Sequence, residues 1–268
     1  MAARIQSGER ARGVKDFWGF VWQGGIDEDL TCSGLEWQIG EGGGRIIEDD
    51  QAITVNNPQA IRAWQQAARW VGSISPPGVT AYGKWDSENV WRSGRAAFYR
   101  GWTSDYSLMT LYLPPANATG YGVTSVPGGR AGRAGVLGGN GLAVSRTSAH
   151  PRESVELIRF LLRKDDQLTR ALEHSGPHKG LDLFELPEIL RLYPQLAELR
   201  EHGGGVVARP SVVVGDRYED VSRAYIRAVH SVLTGEKPAP SAAASLEKEL
   251  AGLTGFSSRR PPGGAADP

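Results

Sequence analysis

The order of apolar runs predicts an α/β chain, and three observations carry that reading. Residues 17–22 (FWGFVW) form a continuous apolar and aromatic run. Asn57-Pro58 opens a stretch whose apolar residues recur at helical spacing, and Ala96-Ala97-Phe98-Tyr99 gives a second short apolar run behind a Gly94 turn. Short apolar runs bounded by turn signals suit buried strands, whereas i, i+3, i+4 recurrence suits a helix laid on a core.

Taken in order, residues 17–22 predict the first strand. Residues 45–48 and 52–55 flank Asp49-Asp50-Gln51 and predict a hairpin. Asn57 is a good N-cap, and Pro58 fits the first helical position because its missing N–H is not needed there. Ile61, Trp64, Ala67, Ala68 and Val71 share one face of that helix, and Gly72 stops it. Residues 85–92 predict a short helix feeding the strand at 94–102. Residues 121–126 (YGVTSV) and 142–145 predict further strands, with a glycine-rich loop at 128–141 between them. Pro151 starts a helix with Val155, Ile158, Leu161 and Leu162 on one face. Asp216 and Glu219 have capping-box spacing ahead of a helix running to Gly235, and residues 242–253 predict a last helix. From Ser257 the composition is that of a disordered tail.

Composition excludes several classes of function. The 268 residues carry 30 basic and 30 acidic side chains, so no net field draws nucleic acid or an anionic membrane. Cys32 is the only cysteine, so neither an intrachain disulfide nor a Cys-based zinc site is possible. The five histidines form no metal-ligand spacing. Gly176 and Pro177 break the helix that would put His174 and His178 on one face. No metal or cofactor is expected. Gly42-Gly43-Gly44 and Gly138-Gly139-Asn140-Gly141 match neither glycine-rich phosphate-binding pattern. No GxSxG elbow is present, and no enzyme is expected. The alternative would be a glycosidase using Glu28 or Glu36 with a second acid, since Asp27-Glu28-Asp29 and Glu48-Asp49-Asp50 supply carboxylates. Residues 1–15 are basic and polar without a leader's apolar stretch, so the chain taken literally stays in the cytoplasm.

The residues richest in chemistry are Arg100-Gly101-Trp102, followed by Tyr106. An indole face beside a planar cation suits a flat, hydroxyl-rich ligand, whose C–H faces stack on the ring while polar groups take the hydroxyls. The residues point to carbohydrate binding.

Five blocks occur in order: Trp22-Gln23-Gly24 with residues 30–36 (LTCSGLE), residues 98–102 (FYRGW), 121–127 (YGVTSVP), 137–145 (LGGNGLAVS) and 208–211 (ARPS). In this order they resemble the extracellular solute-binding proteins of sugar ABC importers, the maltose- and trehalose-binding group, over roughly residues 5–256. The resemblance implies a periplasmic-binding-protein-like, two-lobed α/β fold of type II that closes on a sugar like a flytrap. It implies a membrane permease as partner and an extracellular, membrane-associated or periplasmic location. It assigns stacking to Trp102 and hydroxyl recognition to Arg209. Gly138 and Gly139 would lay backbone against the ligand, and Tyr106, Asn140, Trp22 and Gln23 would complete the set. Asn140 stands where the family commonly has an aromatic residue, and Ser104 where its Trp block has Tyr. Asp27-Glu28-Asp29-Leu30 stands where Tyr-Glu-Gly-Leu is common. The resemblance also implies a signal and most of a first lobe ahead of these blocks, both of which this chain is expected to lack. The expected layout is therefore N-terminally truncated: residues 1–125 and 191–256 in the second lobe, 126–190 crossing to the first, and 257–268 a tail. Such a crossing segment would expose apolar surface. A remnant that no longer binds is the alternative function.

Overall fold

A computed structural model describes residues 1–105, 120–139, 141–173, 183–193 and 205–259. The chain divides into two compact units. The first comprises residues 1–101, 126–137 and 204–268, and the second comprises 102–125 and 138–203.

The first unit is built on short parallel strand pairs covered by helices. Helix α1 (Ala2–Ala11) precedes strand β1 (Trp18–Val21), which pairs in parallel with β2 (Ala96–Tyr99), Phe20 lying opposite Phe98. Between them run α2 (Glu28–Gly40), α3 (Pro58–Trp70) and α4 (Lys84–Arg92). A second parallel pair joins β3 (Ala134–Val136) to β4 (Gly205–Val207). Helices α9 (Tyr218–Leu233) and α10 (Ala239–Thr254) pack with α2 and α3 to make the core. Parallel pairing through helical crossovers is the α/β arrangement that the apolar runs predict.

Aromatic residues fill this unit. Trp22, Trp37, Trp70 and Phe20 form a chain of edge-to-face contacts, with ring centroids 4.8, 5.7 and 5.8 Å apart. Trp64 of α3 meets Tyr225 of α9 in the same way, and the Tyr225 hydroxyl donates to Gln38 Oε1 at 3.0 Å. Gly34 explains why α9 can approach α2 so closely. A Cβ there would lie 3.0 Å from the Tyr225 ring and 3.1 Å from its hydroxyl.

Several elements differ from the sequence reading. Asp27 is the N-cap of α2, its carboxylate accepting from Asp29 N, so the acidic run begins a helix for which no start was predicted. Residues 45–55 contribute one antiparallel bridge, Ile47 with Ile53, because Gln51 takes a left-handed turn (φ 69°) and the ladder goes no further. Residues 121–126 and 142–145 are not strands. The first alternates between half-buried and exposed, as a strand would, but among the described residues no partner strand lies beside it. The Asp216/Glu219 capping box does not form: Arg217 occupies the N-cap of α9, after a short helical turn at Ser211–Val214 (α8) and a 3-10 turn. Residues 257–259 are tied down, with Ile53 N donating to Ser257 O and Arg259 N to Ile53 O.

The second unit holds α5 (Pro151–Leu161), α6 (Lys164–Leu172) and α7 (Pro187–Leu192). Its small core is Ala171, Ile189 and Tyr193, the Tyr193 hydroxyl donating to Ala171 O at 2.9 Å. Helix α5 forms where Pro151 predicts it and keeps its apolar spacing, yet none of its residues is buried.

Candidate functional site

Among the described residues, the C-terminal ends of the strands lead into the blocks that the sequence singles out. Strand β1 runs into Trp22-Gln23, β2 into Arg100, β3 into Gly138-Gly139, and β4 into Arg209. In parallel α/β units that edge is where ligands bind, because loops and helix N-termini gather there.

Beneath this edge of the first unit lies a buried polar network. Arg100 grips Glu36 of α2 in a two-pronged ion pair, Nη2 to Oε1 at 2.7 Å and Nε to Oε2 at 3.1 Å. Glu36 Oε1 also accepts from Val136 N at 3.3 Å, which fixes β3 against α2. Gln23 accepts from Arg100 Nη1 at 3.3 Å and donates to Arg100 O and Ser87 Oγ, each at 2.8 Å. Burial works against the Arg100 charge, but Glu36 outweighs it and holds the guanidinium above its usual range. Trp22 and Gln23 are wholly buried, the Trp22 indole N–H donating to Ser75 Oγ at 3.0 Å. Both therefore support the edge from below.

Above this network, at the first turn of α2, lies a second cluster. Glu28 accepts Arg209 Nη1 at 2.6 Å, Ser222 Oγ at 2.5 Å, and the Tyr218 hydroxyl. Arg209 Nη2 reaches Leu137 O at 3.4 Å. Helix α9 thus supplies two hydroxyls and the loop after β4 supplies the guanidinium, all converging on one carboxylate that also faces the positive end of α2. Burial, and then the carboxylate taking its hydrogen bond, push Tyr218 well above the usual phenol range. Asp27 is also raised, by burial and by neighbouring Asp29. Sequence reasoning missed Tyr218 and Ser222. Their i, i+4 spacing on α9 places both on the face toward α2, a signal available only once that helix is paired with α2.

In the second unit, Trp102 opens a tight turn, its N–H donating to Asp105 Oδ2 at 2.7 Å while Asp105 N donates to Trp102 O at 2.9 Å. The half-buried indole lies against Gly138. A Cβ at that position would fall 2.3 Å from Trp102 Cζ3, closer than any side chain tolerates. Gly139 has φ 151°, open to glycine and strained for other residues. Two of the sequence blocks are thereby brought into contact. Tyr106 and Asn140 lie outside the described residues.

Glu28 and Glu36 do not pair with each other as glycosidase carboxyls would. Glu28 and Glu36 stand eight residues apart on α2, about 12 Å along its axis at ~1.5 Å per residue. Catalytic carboxyls lie about 5–9.5 Å apart, and each of these two is held by an arginine. Among the described residues no group of His, Cys, Asp or Glu could hold a metal ion. No helix among them is long and apolar enough to cross a membrane.

Residues 16–176 match the family model described as bacterial extracellular solute-binding protein. The "Probable ABC transporter-binding protein" of Deinococcus radiodurans is 38% identical over 256 residues, covering 95% of this chain and 60% of that protein. Among solved structures, the maltose-bound MalE3 of T. maritima superposes with TM-score 0.82 at 29% identity, over 94% of this chain and 63% of that one. The GacH receptor of Streptomyces glaucescens, solved unliganded and with acarbose, gives TM-score 0.76 at 20% identity over 90% of this chain and 60% of that one. The chain thus spans about three fifths of the length of its relatives. Its fold is the α/β periplasmic-binding-protein-like fold of type II, and the chain belongs to the bacterial extracellular solute-binding protein family.

Proposed function

We propose that this chain is the carbohydrate-recognising part of an ABC importer's solute-binding component, working outside the cytoplasm and passing a neutral sugar to a membrane permease. The contact of Trp102 with Gly138 carries the reading. It joins an aromatic face to a bare backbone edge, the pairing that a sugar ring stacked on one side and hydrogen-bonded on the other requires. Arg209, preset by Glu28 and Tyr218, supplies donors for hydroxyls at the edge of the first unit. The two candidate carboxylates are neutralised by arginines, which favours binding without turnover. The named relatives bind maltose and acarbose in their solved structures, which supports an α-glucan or related oligosaccharide as ligand.

Calorimetric titration of the full chain with maltose, maltotriose and acarbose tests this. Saturable binding that falls about tenfold or more in both Trp102→Ala and Arg209→Ala is expected, each removing roughly 1–3 kcal/mol. Binding unchanged by both substitutions would overturn the site. The exposed apolar face of α5 favours a second reading, a remnant that no longer binds. That reading predicts no heat with any sugar.

A further inference from the structure

We infer that Glu28 determines specificity by charge: by holding Arg209 in an ion pair, it admits neutral sugars and turns away sugars that carry a carboxylate or phosphate. This role rests on the function proposed above and names the residue that sets its ligand class. Every atom it needs belongs to the first unit. Glu28 is surrounded by donors. Oε1 accepts from Arg209 Nη1 at 2.6 Å and from the Tyr218 hydroxyl, and Oε2 accepts from Ser222 Oγ at 2.5 Å. A hydroxyl has one hydrogen to give, so Ser222, 2.7 Å from Thr31 Oγ1, takes the Thr31 hydrogen in turn. Thr31 and Ser222 are buried, so the carboxylate is fixed from inside the unit. Donors on both oxygens suit an ionised carboxylate, and Asp27 and Asp29 flank it at the start of α2. The acidic run Asp27-Glu28-Asp29 thereby gains a role beyond starting the helix.

Arg209 keeps donors to spare. Nη1 is taken by Glu28, and Nη2 makes a long contact with Leu137 O at 3.4 Å. Among the described residues its Nε–H has no partner, and the side chain is 23% exposed. A sugar hydroxyl can accept from this guanidinium without disturbing the ion pair, because it brings no charge. An anionic group gains far less. Its attraction to the guanidinium is offset by repulsion from Glu28 on the same cation, and from the two aspartates beside it. To take Arg209 for itself it must evict Glu28, stranding a carboxylate that the Tyr218 and Ser222 hydroxyls hold in place. Arg100 does not compensate, since Glu36 already neutralises it. Discrimination therefore comes from a repulsive element built against the wrong ligand.

The test compares maltose with two charged forms of it, one phosphorylated at the reducing end and one on the primary hydroxyl of the other ring. Wild type, Glu28→Gln and Tyr218→Phe are titrated by calorimetry at low and at high salt, with thermal melting to check that the variants fold. Wild type should prefer maltose to both phosphates by at least about tenfold. Its affinity for the phosphates should rise with salt, because screening relieves the repulsion. In Glu28→Gln, maltose should weaken several-fold, while at least one phosphate tightens about tenfold and now weakens with salt. Tyr218→Phe keeps the carboxylate, so it should lower maltose affinity and leave the preference as it was. Wild type that binds either phosphate as tightly as maltose would overturn the charge role and leave sugar binding standing, and this result needs no variant. A Glu28→Gln protein with the wild-type preference would overturn it as well. A Tyr218→Phe protein whose preference shifts as far as that of Glu28→Gln would trace selection to positioning, against the charge role. No binding of maltose by wild type would overturn the proposed function for this ligand, and the charge role with it.

Discussion

Arg100 and Glu36 lie 64 residues apart in sequence and meet in a two-pronged ion pair, both side chains about 95% buried. This pair ties the end of β2 to α2, and through Val136 N it ties β3 to the same helix. Taking two charges out of water is costly, and their attraction repays the cost only when geometry and remaining hydrogen bonds are good. Here Gln23 and Val136 supply those bonds. Removing one partner strands the other charge, so Glu36→Ala should lower unfolding free energy by about 3–5 kcal/mol in urea denaturation. The double change Glu36→Leu with Arg100→Met should cost much less. Equal losses in both variants would show that the pair contributes by packing and not by charge.

Gly138→Ala should act on Trp102. The new methyl would sit 2.3 Å from Cζ3, so the indole must leave its present place or the backbone must move. Overpacking of this kind costs about 1–3 kcal/mol when it happens in a core. Trp102 is only half-buried and can swing away, so the stability loss should be at the low end, near 1 kcal/mol. Sugar affinity should fall as far as in Trp102→Ala. Titration and thermal melting of the two variants side by side check this, and a Gly138→Ala protein with full affinity would separate the glycine from the site.

Glu28→Gln should weaken sugar binding several-fold while leaving the fold within about 1 kcal/mol, since a partly exposed ion pair contributes little to stability. The guanidinium loses its charged anchor but keeps Leu137 O. Tyr218 should respond in the same variant. The carboxylate contributes to raising its pKa, so neutralising Glu28 should bring the phenol back toward its usual range, read by ultraviolet titration. A Tyr218 titration unmoved by Glu28→Gln would mean that burial alone sets it.

How much of this was legible in the sequence depends on local signals. Helix α3 was legible as an element, because Asn57 caps it twice, at Gln59 N and Ala60 N, but its face was shifted: Ala60, Ala63, Trp64 and Ala67 are buried, while Ile61, Ala68 and Val71 of the expected face are half-buried. Helix α2 was not. It buries Leu30, Cys32, Leu35, Glu36 and Gln38 on several sides at once, which erases the periodicity that reveals a surface helix. Glu36 was visible as a carboxylate, but its partner was not, because Arg100 arrives from a distant strand. Trp22 and Gln23 were legible as members of a block, but whether they touch solvent is decided by Trp37, Ser75 and Ser87, which arrive from three other segments.

Cys32 gives a prediction in pH. The thiol is buried, and burial pushes its pKa up to about 12 from an ordinary value near 9.0. A raised thiol favours the folded state while it stays protonated. That contribution is fully present below pH ~9 and is lost as pH rises toward ~12, because the unfolded chain ionises first. At pH 8 a thiol reagent should therefore modify the native protein only at the rate of unfolding, and rapidly in 6 M guanidinium. Fast native labelling at pH 8 would show that α2 opens locally around Cys32.

The last prediction concerns α5. Its sequence is strongly amphipathic, and amphipathic helices normally bury their apolar face. This one buries no residue, and Val155, Leu157 and Phe160 are 38%, 56% and 48% exposed, with Leu162 just beyond at 54%. A patch of that kind binds hydrophobic dye and promotes association. Leu157→Lys with Phe160→Glu should reduce dye fluorescence and shift sedimentation toward monomer. Because the side chains have little packing to lose, unfolding free energy should change by less than about 0.5 kcal/mol per site. A loss above about 2 kcal/mol would mean that the face is packed in solution. Wild-type protein that stays monomeric, melts cooperatively and binds no dye would remove the patch as a physical property of the chain.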